Sequence, residues 1–117
     1  MPTLKESNKK LSPVEIRKGL GLSQERLSRL LGVSSKSINR WETDNTLPKD
    51  SAVLKRLAKL KEIRDLGLMV YTPEGLKEFL FTPLPIFAGQ CALDLLQLGD
   101  YEPIVSVLAS DLEGIGF

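Results

Sequence analysis

Histidine is absent from this chain, and cysteine occurs once, as Cys91. The first absence removes the commonest acid–base side chain and the commonest metal ligand. The second excludes an internal disulfide, and together they leave no zinc site of the usual kind. No apolar run approaches the roughly 20 residues that a membrane-spanning helix needs. The opening stretch Met1–Lys10 is polar and lacks the apolar segment of a secretory signal. The expectation is a cytoplasmic protein with no metal and no cofactor. Enzymatic activity is not expected either: Asp94, Asp100, Glu102, Asp111 and Glu113 are scattered, with neither a nucleophile nor a metal partner beside them. Paired carboxylates can serve glycoside hydrolysis, but a segment of about 50 residues is too small to frame such a cleft.

Positive charge is almost missing from the second half. Residues 67–117 hold one basic residue, Lys77, against seven acidic ones, whereas residues 1–66 hold fifteen Lys and Arg against eight Asp and Glu. The net charge of +1 for the 117 residues therefore conceals two halves of opposite sign. A basic half suits a polyanion such as DNA and an acidic half does not, so the halves are expected to meet different partners. The length fits one domain or two very small ones.

What is present is dominated by helical periodicity; no strand pattern or internal repeat emerges. Residues 1–11 are polar and are expected to form a flexible arm. Ser12-Pro13-Val14-Glu15 has the capping residue and first-turn proline of a helix start, with Ile16 and Leu20 inward. Ser23 caps a second helix with Leu27, Leu30 and Leu31 as its buried stripe, and Gly32 supplies the left-handed residue that stops it. Ser34 caps a third, in which Ile38 and Trp41 face the core. Pro48 is expected to open a fourth, carried by Val53, Leu54, Leu57, Leu60, Ile63 and Leu66. Gly67 marks a boundary, giving a DNA-binding unit at 12–66 and a partner-binding unit at 67–117. In the latter, helices are expected around Leu76–Leu80, from Cys91 to Leu98 and from Tyr101 to Leu112, with an apolar loop at Leu84–Gly89.

Two short helices joined at a glycine turn place the second in the DNA major groove. With Ile38 and Trp41 committed inward, Ser35, Lys36, Ser37, Asn39 and Arg40 remain free. Lys and Arg pair with the acceptors of guanine, and Asn with adenine. Gln24, at the start of the preceding helix, is placed to grip a phosphate, and Asn45, Thr46 and Lys49 to hold phosphate on the other side. Arg26 and Arg29 read as solvated. In these residues, above all Leu22-Ser23-Gln24-Glu25, Gly32-Val33-Ser34 and Ile38-Asn39-Arg40-Trp41-Glu42, the segment 13–66 resembles the Xre-type, λ-repressor-like helix-turn-helix family. Asp44 stands where many members have glycine. The resemblance implies an all-α bundle of about five helices, a homodimer on a palindromic operator, and DNA contacts by Gln24, Ser35, Lys36 and Arg40.

The acidic half holds Phe79-Leu80-Phe81-Thr82-Pro83-Leu84-Pro85, then Gly89, Leu93-Asp94-Leu95-Leu96 and Gly99-Asp100-Tyr101-Glu102. This pattern is similar to the toxin-binding domain of Xre–MbcA–ParS-type antitoxins, with Ala92 where that family usually has proline. The similarity implies a small helical toxin-binding domain, a toxin partner of the NAD-consuming RES or ADP-ribosyltransferase-like type, and repression of the chain's own operon by the basic half. Candidate partner contacts are Phe87, Leu95, Tyr101, Asp111, Glu113 and Phe117. An alternative stays open: a stand-alone regulator whose acidic half dimerises or binds another regulator. Phe87 is equally readable as core, and Phe87→Asp is expected to separate partner capture from operator affinity.

Overall fold

The computed structural model describes residues 11–115. Among them seven α-helices and one 3₁₀ turn follow in order: α1 Pro13–Gly19, α2 Gln24–Leu31, α3 Ser35–Asp44, α4 Ser51–Val70, α5 Pro73–Phe81, the 3₁₀ turn Pro85–Phe87, α6 Ala92–Leu98 and α7 Glu102–Ile115. Side-chain caps set most of the starts. Ser12 Oγ accepts from the Glu15 amide, Ser23 Oγ from Arg26, Ser34 Oγ from Ser37 and Thr72 Oγ1 from Gly75. Each satisfies an amide that has no partner inside its helix. α2 stops at Gly32, whose φ of 71° is the left-handed conformation that a Cβ penalises. α3 stops at Asn45 in the same region (φ 53°), where a short polar side chain is tolerated; the helix end falls just after Asp44.

α4 is the spine. Val53, Leu57, Leu60 and Ile63 repeat at helical spacing and are buried, and the helix packs against α7 and α1 and, less extensively, α2 and α5. One apolar core runs through both halves of the chain, from Ile16, Leu20, Leu27, Leu31 and Ile38 to Leu76, Leu80, Leu96, Ile104 and Leu108. Leu11, the last residue of the expected arm, packs partly buried against this core; residues 1–10 lie outside the described residues.

Three expectations need correction. The boundary at 66/67 falls inside α4, which continues to Val70. Gly67 does not mark that boundary: it is a buried helical residue at which an added Cβ would run into the Leu76 side chain. It lets α5 approach α4. Second, Pro48 is buried ahead of α4 but does not start it; Asp50 does, its Oδ1 accepting from the amides of Ala52 and Val53 at 2.8 and 3.2 Å. Third, the apolar segment 84–89 contains the 3₁₀ turn, and of the two readings open for Phe87 the core one holds. Phe87 is only 4% exposed and packs edge-on to Phe79, with ring centroids 6.3 Å apart, while its neighbour Ile86 projects outward. No single helix among the described residues is long and apolar enough to cross a membrane.

Candidate nucleic-acid interface and partner face

The outer face of α3 carries Ser35, Lys36, Asn39 and Arg40, all exposed, while Ile38 and Trp41 anchor the inner face. Lys36 and Arg40 are four residues apart and stand one above the other on that surface. Asn45, Thr46 and Lys49 are exposed just beyond the helix. Arg40, Asp44, Thr46 and Lys49 help to line a groove beside its C-terminal end. The result is a hydrogen-bonding ridge with cations at two points along it, of a width that enters a major groove.

Gln24 takes a more specific position than its sequence context indicates. Its Nε2 donates to Glu42 Oε1 at 2.9 Å. A carboxamide nitrogen has two hydrogens, so one remains for an acceptor outside the chain. Glu42 is also held by Arg17, whose Nε donates to Oε2 at 2.6 Å and whose Nη2 donates to Oε1 at 2.9 Å. The third arm of the guanidinium, Nη1, donates to the Leu22 carbonyl at 3.0 Å. This clamp joins α1, the approach to α2, and α3 through one carboxylate. Hydrogen bonding from Arg17 outweighs desolvation and holds the Glu42 carboxyl below the usual glutamate range; the same bonds raise Arg17. Nothing local in the sequence links positions 17, 24 and 42.

Arg26 is likewise not simply solvated: its guanidinium lies 5.3 Å from the Phe81 ring centre, a cation–π contact from α2 to the end of α5. Arg29 does remain at the surface, paired with Glu25.

The candidate partner contacts divide. Phe87 and Leu95, at 4% and 6% exposure, are core residues, because the small C-terminal helices need them to close over the apolar interior; neither offers a surface to a partner. Tyr101 is half-buried, and Glu113 is exposed. Asp111 is half-buried and accepts from the Tyr71 hydroxyl at 3.2 Å. Tyr101 and Asp111 are separated along the chain by about 15 Å of helical rise and do not form one cluster. Phe117 lies outside the described residues.

Comparison with known proteins agrees with the geometry of the basic half: the helix-turn-helix family matches residues 15–64. The similarity to known proteins extends beyond these residues. Over 104 residues the chain is 28% identical to a probable mycobacterial cidal antitoxin of Mycobacterium tuberculosis, covering 86% of this chain and 85% of the relative. A chain in the crystal structure of the M. tuberculosis MbcT–MbcA toxin–antitoxin complex has the same fold, with a TM-score of 0.73 and 21% identity, covering 88% of this chain and 92% of that one.

Proposed function

We propose that this protein is an antitoxin of a toxin–antitoxin pair and the repressor of its own operon. The observation that carries the reading is the extent of the similarity: the antitoxin relative matches across 86% of the chain, so the likeness includes the acidic half and is not confined to a common DNA-binding module. The charge division fits two partners. The basic half binds operator DNA as a homodimer, with Ser35, Lys36, Asn39 and Arg40 reading bases and Gln24, Asn45, Thr46 and Lys49 holding phosphates. The acidic half captures and blocks a toxin of the NAD-consuming RES or ADP-ribosyltransferase-like type. Both roles are binding roles and belong to the cytoplasm; no catalytic step is assigned to the chain itself.

The test is expression of each gene adjacent to the coding sequence from an inducible promoter, with and without this chain. The expected result is growth arrest by one neighbour, accompanied by falling NAD, and relief on co-expression. If no neighbour is toxic, or if toxicity is unaffected by a chain that still binds its operator, the antitoxin reading fails and the stand-alone regulator replaces it. Selection from random DNA should yield a palindromic site whose enrichment depends on Lys36 and Arg40.

A further inference from the structure

A groove of 340 Å³ opens between α5 and α7 and shares no lining residue with the DNA-reading ridge. Its walls are the half-buried apolar surfaces of Tyr71, Leu84 and Val107 over the buried Phe79 ring. Tyr71 stacks on Phe79 with centroids 5.5 Å apart, which fixes the aromatic wall. Two carboxylates also line the groove: Glu78 on α5, which is exposed, and Asp111 on α7. Asp111 uses one lone pair toward the Tyr71 hydroxyl at 3.2 Å, and a carboxylate has about four acceptor sites. No lysine or arginine lines the groove among the described residues. Lys77, the one basic residue of the acidic half, runs instead against Gly21 on the far side of α5.

We propose that this groove captures an arginine side chain presented by a protein partner, its aliphatic stem against Tyr71, Leu84 and Val107 and its guanidinium on Glu78 and Asp111. The argument is charge complementarity joined to shape. An apolar groove with two carboxylates among its walls matches a side chain that is apolar along its stem and cationic at its tip. A planar guanidinium satisfies carboxylates at several angles and lies well against aromatic faces, which a lysine ammonium does less well. Under the antitoxin reading the partner is the toxin, and the groove is the anchor for one of its surface arginines; the chemistry of the groove itself does not depend on that assignment.

The test is a titration of the full chain with N-acetyl-arginine amide, followed by amide chemical shifts, with N-acetyl-norleucine amide as the uncharged control. Saturable shifts are expected at Tyr71, Glu78, Val107 and Asp111 for the arginine probe and not for the control. Glu78→Gln with Asp111→Asn, which preserve side-chain size, should weaken binding by about tenfold or more, the scale of a lost charge-assisted hydrogen bond. Equal responses to both probes, or no saturable response, would overturn the proposal. So would shifts at these residues on raising the protein concentration alone, which would put a second copy of the chain in the groove. Rescue from toxicity is scored separately: saturable shifts without rescue would discard the toxin reading and retain the groove, and rescue without shifts would do the reverse.

Discussion

Removing Arg17 should destabilise the whole molecule, and the structure sets the scale. Arg17 and Glu42 are 17% and 10% exposed at their side chains and meet through two bonds. Arg17→Met keeps the apolar stem and removes every donor. Glu42 is then a largely buried carboxylate supported by Gln24 alone, and the Leu22 carbonyl loses its guanidinium partner. Breaking a fully buried pair costs about 3–5 kcal/mol; the residual water access here places the cost near the lower end, at about 3 kcal/mol. Arg17→Met combined with Glu42→Leu removes both charges and should recover most of that loss, because no ion is left without a partner. Urea unfolding followed by circular dichroism would measure all three variants, and the common core predicts one cooperative transition. The pH dependence supplies a second signature. Glu42 is held below its ordinary pKa in the folded state, so its contribution is complete above about pH 4.3, the ordinary glutamate value, and is lost as pH falls through the lowered folded-state value. The gap between the parent and Arg17→Met should therefore narrow on acidification. A cost below about 1 kcal/mol, the range of exposed surface pairs, or a gap that does not change with acid, would refute the clamp.

Operator binding should weaken steeply with added salt, because lysines and arginines on phosphates release condensed counterions; a flat log–log plot would contradict the basic face. Arg40→Ala should cost about 1–3 kcal/mol on the selected site and relax base preference at one position per half-site, read by comparing that site with single mismatches. Phe87→Asp buries an unpaired carboxylate against Phe79 and should destabilise by more than about 4 kcal/mol. Contrary to the expectation from sequence, it should abolish operator and partner binding together, with the loss of helical circular dichroism as the control. Gly67→Ala forces Leu76 aside and should cost about 1–3 kcal/mol by overpacking, visible as a lower urea midpoint with an unchanged slope.

The residues that announce themselves in the sequence are those whose role is local. Ser23 and Ser34 cap, Gly32 turns, and Ile38 and Trp41 alternate with exposed Lys36 and Arg40 within one helix; spacing alone fixes these. What escaped depends on contacts between positions distant in the chain. Gly67 looks like a domain boundary until Leu76 is seen against it. Nothing in the sequence ties Arg17 and Glu42 to Gln24, read there as a phosphate contact, until the fold converges them. Phe87 resembles a partner contact because its neighbours are apolar and proline-rich, and only the position of Phe79 shows that it turns inward. The Tyr71–Asp111 pair is forty positions apart and carries no local signature at all.

The unbroken α4 changes what the charge division means. A switch from basic to acidic at residue 67 suggests two independent modules joined by a linker, yet that residue lies within a 20-residue helix that contributes to the common core. Direct ties reinforce the join: Gln97 Nε2 on α6 donates to the Arg29 carbonyl on α2 at 3.2 Å, and Arg26 sits over Phe81. Opposite charge therefore divides the surface while the interior remains continuous. A partner gripped at the α5–α7 groove is held at a fixed orientation to the α3 ridge, without a hinge between them. On a palindromic operator, two copies would then present their partner faces at a separation set by the DNA half-sites. The same continuity decides which substitutions can separate the two binding functions. Exposed or rim residues such as Lys36, Arg40, Glu78 and Asp111 can be changed without reaching the core, whereas Phe87 and Leu95 are part of the common core.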